Sequence, residues 1–268
     1  MSKVAILGTG NMGKALIAGL RSKYGDNVTI MAYDQVETSL DGLDVDVKKP
    51  QEWFTVKNIP DAIIVAVKPQ DIVSAVATLS KVNDSDKVKP LWISIAAGVS
   101  LESLQNLLPS QARICRVMPN TPSLVGEGIS ACALNADCTD NDKKIAEEIF
   151  TAVGKCLFVP EKQINAVTGL SGSGPAYVYL FIEALIEGGV TAGLPYATAR
   201  ELAIQTVIGS ARMVHETGEN TNALKLKVMS PAGTTAYGLK ALEENGFKNA
   251  VITAVVNATK RADELGKS

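Results

Sequence analysis

The chain has 268 residues, of which 46% are hydrophobic, and a formal net charge of −2 at neutral pH. This length allows one or two domains with enough apolar material for a packed core. An acidic balance without a run of lysine or arginine argues against a nucleic acid partner, because neutralising phosphates requires a basic surface. The longest apolar runs, such as residues 62–67, are far too short to span a bilayer.

The cysteine content and the N-terminal residues indicate the cellular compartment of the protein. The four cysteines show no C-x-x-C pairing, and the chain has a single histidine. They indicate reduced thiols and predict neither a disulfide framework nor a metal site. Because a strand pattern begins at Lys3, we expect no signal peptide and a cytoplasmic protein. The cysteines are Cys115, Cys132, Cys138 and Cys156.

The first structural signal is a glycine turn between a strand and a helix. Residues 4–7 are apolar and end at Gly8, and an alanine- and leucine-rich helical pattern follows. In a dinucleotide-binding turn, Gly8 permits the sharp turn, Gly10 lets the backbone approach a pyrophosphate, and Gly13 lets the helix pack closely on the strand. The helix N-terminus then faces the phosphate charge. An ordinary glycine-rich turn remains the alternative.

Strand and helix patterns alternate over the first part of the chain. Continuous apolar strands separated by helices predict a parallel sheet with helices on both faces. Its nucleotide site is expected at the carboxyl ends of the strands. The predicted strands are Lys3–Leu7, 28–33, 62–67, 91–95, 113–118 and 129–134, and the predicted helices between them are 12–23, 71–79, Leu101–Leu107 and 140–153.

After about Glu161 only helical patterns remain. This change predicts an α/β fold with a Rossmann-like dinucleotide-binding domain at residues 1–161 and an all-helical domain at residues 162–268. The predicted helices are 175–190, 196–215, 222–228, 231–244 and 248–265.

The first helix of the second domain predicts an oligomer. Residues 177–190 carry only two charges, Glu183 and Glu187, and are otherwise almost entirely apolar. A helix that is apolar nearly all round must be buried on most sides, yet about a hundred helical residues offer little core. The next helix carries small residues suited to close packing, so we expect a second subunit to complete this core. A central helix in a monomeric bundle is the alternative. The small residues are Ala199, Ala203, Thr206 and Ser210.

The residue that ends the second strand indicates the cofactor. In a Rossmann site this position, roughly 20 residues past the glycines, contacts the adenosine ribose. Asp34 lies there, followed by Gln35 and by no arginine. A carboxylate accepts hydrogen bonds from a free 2′-hydroxyl and repels a 2′-phosphate, which favours NADH over NADPH. Asp34 as the start of a simple turn is the alternative.

The histidine content limits the chemistry. Hydride transfer to a carbonyl normally needs a proton donor such as His, Lys or Tyr. The single histidine, His215, falls near a predicted helix end, where it favours the helix dipole. A protonated C=N bond needs no such acid, because its nitrogen already carries the charge that hydride neutralises.

A second site signal lies at residues 230–236. Ser230 suits an N-cap and Pro231 the first helical position, so a helix is predicted to begin here with small residues in its first turn. Its free amide groups can hold a carboxylate, and a threonine hydroxyl can reach a neighbouring polar atom. A well-capped helix start without a ligand is the alternative.

Together these motifs resemble the pyrroline-5-carboxylate reductase family over essentially the whole chain. Of the matching segments, the last two, residues 169–177 and 230–235, are the most specific, because related dehydrogenases share the first segment but not these two. Hydroxyacid dehydrogenases have a catalytic lysine where this chain has residues 173–175. The matching segments are residues 8–13, 66–70, 96–98, 117–122, 169–177 and 230–235.

The resemblance implies an activity and a set of site residues. The family reduces 1-pyrroline-5-carboxylate to L-proline with NADPH or NADH, the last step of proline synthesis. Similar proteins form dimers through interleaved helical domains, often assembled into larger rings, so residues 162–268 are implied to bind substrate and dimerise. Thr235 would be catalytic, hydrogen-bonding the ring nitrogen, and the substrate carboxylate would contact Ser230, Gly233 and Thr234. The cofactor would contact Gly8, Thr9, Gly10, Asn11, Met12, Gly13, Asp34, Val67, Lys68 and Ala97.

The chain departs from the family pattern in a few places. The usual glycine pair after Pro231 is Ala232-Gly233 here, and Ala236-Tyr237 replaces the common apolar-alanine step. Residues 41–57 are weakly patterned, and Trp53 stands where relatives often have a polar residue near the cofactor ribose. Lys68 also fits a solvated loop residue.

Two other functions remain open. One is reduction of another small cyclic imino acid, such as a six-membered analogue, at the same site. The other is a dinucleotide-sensing binding protein without catalysis, which the segment 230–235 argues against because a sensor needs no substrate cradle.

Overall fold

The structure is a computed structural model that describes residues 1–54, 59–80 and 89–266. Its elements follow the predicted alternation closely. The strands are β1 Lys3–Leu7, β2 Thr29–Tyr33, β3 Asp46–Val47, β4 Ala62–Val65, β5 Leu91–Ser94, β6 Ile114–Met118, β7 Gly128–Leu134 and β8 Gly154–Phe158. The helices are α1 Asn11–Tyr24, α2 Ile72–Ser80, α3 Leu101–Leu107, α4 Asp140–Phe150, α5 Ile164–Val167, α6 Gly174–Thr191, α7 Tyr196–Thr217, α8 Thr221–Val228, α9 Thr234–Glu244 and α10 Phe247–Leu265.

One eight-stranded sheet runs in the order β3-β2-β1-β4-β5-β6-β7-β8. The first six strands are parallel, as predicted, and the chain order reverses between β1 and β4. The prediction of a wholly parallel sheet was wrong at β7, which pairs antiparallel with β6. The connection from Pro119 to Glu127 explains this, because a parallel crossover needs about a dozen residues or more. The sheet is therefore mixed.

Two strands escaped the sequence analysis. In β8, side chains alternate between half-buried and exposed, and Lys155 interrupts the apolar pattern. The strand β3 has only two residues, both exposed. Neither offers the continuous apolar run that marked the other strands. The helix predicted at 140–153 ends at Phe150, because the chain must turn before β8.

The core of the sheet consists of two apolar layers, one on each face. One layer packs side chains of α1 and α4, including Leu16 and Phe150, against the sheet. The other packs α2 and α3, including Leu79 and Leu104, with Trp53. Fully burying each such side chain contributes about 1.5–3 kcal/mol. Helices thus cover both faces, as the fold class predicts.

The chain divides into two compact units. Residues 1–173 and the described part of 256–268 form the first, and residues 174–255 form the second. The composition change at Glu161 marks the end of the strands, whereas the compact first unit continues through α5 and the π-helical turn Thr168–Gly172.

The second unit is a set of helices with little interior. Its α6 and α7 approach closely, since a β-carbon added to Gly189 would lie 3.0 Å from the Ala199 Cβ. Among its described residues, Ala199 and Ala203 are the buried ones, and both belong to the predicted small-residue stripe. Thr206 and Ser210 of that stripe are exposed.

The apolar helix α6 is largely uncovered within one chain. Leu180 is 66% exposed and Tyr179 59% exposed, and many apolar side chains of the neighbouring helices are also exposed. Large contiguous apolar surface marks an interaction site. The alternative of a central helix in a monomeric bundle is therefore wrong, and this surface needs a partner.

This surface predicts the result of one substitution pair. Leu180→Glu places a charge on the uncovered face and is expected to shift sedimentation velocity profiles towards the 28.2 kDa monomer. Val73→Glu makes the same change at a residue of α2 that is 58% exposed, and it should leave the assembly intact. A compact wild-type monomer, or equal behaviour of the two variants, would contradict the interpretation.

Candidate active site

The glycine turn has the geometry that its sequence predicts. Gly8 has φ +99°, and a β-carbon built on it would lie 2.6 Å from the Ala66 carbonyl oxygen. A β-carbon on Gly13 would overlap the Gly8 carbonyl oxygen, whereas one on Gly10 meets no atom within 4 Å. Gly8 and Gly13 are thus needed for packing, and the space over Gly10 is open to a ligand.

The start of α1 faces that open space with free amide groups. Its N-cap, Gly10, has no side chain to accept from them, and its first turn contains no acidic residue. Uncapped amides and the positive end of the helix dipole attract an anion. Asn11 is exposed at this start, whereas Met12 packs against the core. The N-terminus of α1 therefore suits a phosphate group.

A cavity of about 350 Å³ adjoins the turn. Its walls follow the carboxyl ends of β1, β2 and β4, which is where a doubly wound sheet binds ligands. Half of the predicted cofactor residues line it, namely Gly8, Gly10, Asp34, Val67 and Lys68. The residues and their position at the strand ends fit part of a dinucleotide.

Asp34 is bonded to the glycine turn. Its Oδ2 accepts from the Thr9 backbone N at 2.7 Å and from Thr9 Oγ1 at 3.2 Å, and its Oδ1 accepts from the Val36 N at 2.9 Å. Asp34 therefore starts a turn, as the alternative had it, and also lines the cavity. A carboxylate has about four acceptor positions, so Oδ1 keeps capacity for a further donor.

Trp53 is not available to a cofactor. Its side chain is fully buried in the core layer under α2, and its Nε1 donates to the Lys48 carbonyl oxygen at 3.1 Å. The weakly patterned stretch around it contains β3 and the short turn Pro50–Glu52. Residues 55–57 of that stretch lie outside the described residues.

Lys68 and Ala97 lie in loops after neighbouring strands. Lys68 is exposed beyond β4, immediately before the turn Pro69–Asp71, and it lines the cavity. Both proposed roles, cofactor contact and solvated loop residue, are compatible with this position. Ala97 is half-buried in the loop that follows β5, and it is not among the residues that line the cavity.

Sequence reasoning missed further cavity residues. They follow the ends of β2 and β4 or lie on α2, so the rule that ligands gather at strand ends would have found several of them. They include Tyr33, Gln35, Val36, Gln70, Ser74 and Thr78.

Two of the family-like motifs, residues 117–122 and 169–177, contact each other within the first unit. Asn120 Nδ2 donates to the Ser171 carbonyl oxygen at 3.2 Å, and Asn120 Oδ1 accepts from the Ile129 N at 2.9 Å. Gly172 lies against the Met118 side chain so closely that a β-carbon there would overlap it. Asn120 thus ties the loop after β6 to the turn that precedes α6.

The segment at 230–235 forms a tight turn before α9. The Gly233 N donates to the Ser230 carbonyl oxygen at 3.0 Å, and Ala232 has φ +56°. The prediction of Ser230 as N-cap and Pro231 as first helical residue was wrong. A left-handed residue cannot belong to a helix, so Gly233 is the N-cap and α9 begins at Thr234.

This later start leaves the first amides of α9 open. Gly233 makes no side-chain cap bond, and the first turn of α9 contains no acidic residue. A β-carbon on Gly233 would overlap Ser230 Oγ, so a larger residue there would force the Ser230 hydroxyl to move. Thr234 is exposed and Thr235 half-buried in this turn. Small residues, open amides and two hydroxyls therefore stand together at one helix N-terminus.

The histidine and the cysteines are the remaining candidates for acid catalysis and metal binding. His215 lies in the last turn of α7, as predicted. The four cysteines are free thiols, and burial raises the pKa of Cys138 to about 11. Within the described ranges, no three His, Cys, Asp or Glu side chains are grouped to hold a metal ion, and no helix has both the length and the apolar character to cross a membrane.

The open space over Gly10 predicts that a substitution there weakens cofactor binding without lowering the stability of the protein. Gly10→Ala meets no atom of the protein, so its melting temperature should stay within a few degrees of wild type. The methyl group occupies the approach of the pyrophosphate, so the Kd for NADH should rise by about tenfold or more in a fluorescence titration.

Gly8→Ala is the matched comparison. Its β-carbon would press on the Ala66 carbonyl and its φ is positive, so this variant should lose stability as well as binding. Unchanged NADH affinity in Gly10→Ala would remove the turn from the cofactor site.

Comparison with known proteins gives two family matches, one in each part of the chain. A family model described as "Pyrroline-5-carboxylate reductase dimerisation" matches residues 161–265, and one described as "NADP oxidoreductase coenzyme F420-dependent" matches residues 3–98. These matches confirm the Rossmann-like fold of the first part, identify the helical part as a dimerisation domain, and indicate a homo-oligomer.

Relatives named pyrroline-5-carboxylate reductase match most of the chain. The protein of Methanosarcina acetivorans is 41% identical over 99% of this chain and 98% of its own length. That of Escherichia coli K12 is 39% identical over 99% of both. The protein of Synechocystis is 49% identical over 78% of this chain and 77% of its own length.

Solved structures agree. The reductase of Coxiella burnetii superposes with a TM-score of 0.88 at 34% identity, covering 100% of this chain and 99% of the other. The Plasmodium falciparum pyrroline carboxylate reductase, determined with NADP bound, gives a TM-score of 0.84 at 34% identity over 98% and 99%. The chain therefore belongs to the pyrroline-5-carboxylate reductase family, whose members are NAD(P)H-dependent oxidoreductases.

Proposed function

We propose that this protein reduces the C=N bond of 1-pyrroline-5-carboxylate with NADH or NADPH and so forms L-proline, the last step of proline biosynthesis. The observation that carries the proposal is the open helix start at Gly233, Thr234 and Thr235. The glycine turn is common to many dehydrogenases, whereas this start supplies what a small anionic imine needs. Membership of the family supports the same substrate.

The start of α9 binds the substrate carboxylate. The amide of Thr234 and the Ser230 hydroxyl present donors to an anion at the positive end of the helix dipole, and Gly233, which has no side chain, leaves room for the anion beside them. The tight turn closed by the Ser230 carbonyl and the Gly233 N fixes those donors before substrate arrives. Binding energy from the carboxylate thus orients the ring without being used to order the loop.

Thr235 orients the reacting bond. Its hydroxyl lies in the same helical turn, and its oxygen accepts from the N–H of the protonated ring. A bound dinucleotide would supply a hydride to the imine carbon, which is C2 of the substrate and becomes C5 of proline, and the π electron pair of the C=N bond would move to the nitrogen. Since the nitrogen of the protonated imine already carries a proton, no side chain must act as acid. Positioning is then the main contribution of the protein.

The first part of the chain holds the cofactor. Residues 8–13 and Asp34 bind the pyrophosphate and the adenosine ribose, and Val67, Lys68 and Ala97 also contact the cofactor. Residues 1–161 thus act as the nucleotide-binding domain, and residues 162–268 as the substrate-binding and dimerisation domain. The exposed apolar face of α6 supports a homodimer, which assembles further into an oligomer of dimers. We place the protein in the cytoplasm.

The role of Thr235 is tested by removing its hydroxyl without changing its shape. Thr235→Val should lower kcat/KM for 1-pyrroline-5-carboxylate by about 10- to 100-fold, the value of one hydrogen bond to a charged group. The Kd for NADH should stay within about twofold of wild type.

Thr235→Ser is the matched control, because it restores the hydroxyl and should recover most of the activity. Full activity in Thr235→Val would remove Thr235 from the mechanism. Faster turnover on a six-membered cyclic imino acid than on the five-membered ring, in the wild-type protein, would replace the proposed substrate.

Asp34 predicts the cofactor preference. Wild-type protein should have a higher kcat/KM for NADH than for NADPH, because a carboxylate repels a 2′-phosphate. Asp34→Asn keeps an oxygen that accepts from Thr9 and removes the charge, so the NADPH/NADH ratio should rise by about tenfold or more.

Glu37→Gln removes a carboxylate charge at an exposed residue that does not line the cavity, and it should leave the ratio nearly unchanged. A strong wild-type preference for NADPH would refute the assignment of Asp34 to the ribose.

A further inference from the structure

We propose that the last turn of α10 positions the loop at residues 96–100, and that Asp263 and Asn165 are positioning residues for the bound dinucleotide. The inference rests on the proposed contact of Ala97 with the cofactor. All the residues involved belong to the first unit. Neither Asp263 nor Asn165 is a proposed ligand contact, and neither is needed for the glycine turn.

The end of α10 packs directly on the loop. Gly98 has φ +79°, and a β-carbon built on it would lie 3.5 Å from the backbone carbon and the Cβ of Leu265. From the other side, a β-carbon on Gly266 would lie 3.1 Å from the Gly98 carbonyl oxygen. The two backbone segments thus approach closely next to Ala97: a β-carbon on Gly98 would just contact Leu265, whereas one on Gly266 would press on the Gly98 carbonyl oxygen.

A chain of side-chain hydrogen bonds continues from this contact. Asn165 Nδ2 donates to Asp263 Oδ1 at 2.6 Å, and Asn165 Oδ1 accepts from Arg116 Nη2 at 3.0 Å. Asn165 therefore uses both ends of its amide, which fixes its orientation between α10 and β6. Asp263 holds the α10 end of this chain.

This series of hydrogen bonds ends on the far side of the loop at residues 96–100. Arg116 Nη1 donates to Glu161 Oε1 at 3.1 Å, and that oxygen also accepts from the Leu101 N at 2.6 Å. Leu101 is the first residue of α3. The loop is therefore held at Gly98 by the end of α10 and at Leu101 by Glu161, and Arg116 and Asn165 connect the two holds.

Burial makes this network sensitive to the loss of one member. The Arg116 residue is only 6% exposed, so its guanidinium has little access to water and depends on its protein acceptors. A buried charge with one acceptor removed reorganises its neighbours. Loss of the Asp263 carboxylate frees Asn165, and through it the orientation of Arg116 and Glu161, so the loop that carries Ala97 becomes less fixed.

The test compares three variants on the same helical turn. Asp263→Ala removes the acceptor for Asn165 and should raise the Kd for NADH and its KM by about five- to tenfold. The KM for 1-pyrroline-5-carboxylate should stay within about twofold. Asp263→Asn keeps an oxygen acceptor and should restore near-wild-type values. Arg261→Ala removes an exposed ion pair with Glu264 instead and should change neither constant.

Hydrogen exchange gives a readout that needs no turnover. The amides of residues 97–101 should exchange faster in Asp263→Ala than in wild type, and Arg261→Ala should not change them. If wild-type protein binds NADH but fails to reduce the imine, the proposed reaction is wrong while the Kd and exchange comparisons still decide this inference. Unchanged NADH affinity and exchange in Asp263→Ala, or equal effects in Arg261→Ala, would overturn it.

Discussion

The close approach of three backbone segments at the glycine turn is the constraint on which the nucleotide-binding unit depends. Gly8 lies against the Ala66 carbonyl and Gly13 against the Gly8 carbonyl, so β1, α1 and the end of β4 meet with no side chain between them. Asp34 fastens β2 to the same point through Thr9. Because these contacts use backbone atoms, they leave the start of α1 open for phosphate, and the cavity forms beside it.

The second unit, in contrast, has almost no core of its own. Its helices bury almost nothing within one chain, and its largest apolar side chains stay exposed. A partner subunit therefore supplies the core that the chain lacks, in agreement with the match of residues 161–265 to a dimerisation domain. The start of α9, where we propose that substrate binds, lies in this unit, so the proposed substrate site and the assembly of the protein depend on the same set of helices.

Much of the fold could be predicted from the sequence, and the failures have physical causes. Continuous apolar runs marked the parallel strands, but β8 alternates with exposed residues, and the short connection after β6 forced β7 to run antiparallel. The pattern at Ser230 predicted a cap, yet the left-handed Ala232 delays the helix to Thr234.

The candidate site shows the same limit. The glycines and Asp34 were identified by spacing, but the bonds of Asp34 to Thr9 join residues 25 positions apart, and the network from Asp263 to Glu161 joins residues about a hundred positions apart. Tertiary contacts of this kind leave no periodic signal in one sequence. Local motifs and their chemistry can therefore be predicted from the sequence, whereas hydrogen bonds between residues far apart in the chain cannot.

The central claim is that hydride passes from a nicotinamide to the imine carbon of a five-membered cyclic imine, the carbon that becomes C5 of proline. It is tested most directly by incubating the protein with 1-pyrroline-5-carboxylate and NADH deuterated at both C4 positions, followed by mass spectrometry and NMR of the product. The account predicts L-proline with one deuterium at C5, formed in equal amount to the NADH consumed. Tight NADH binding without proline formation, or proline without deuterium at C5, would contradict it.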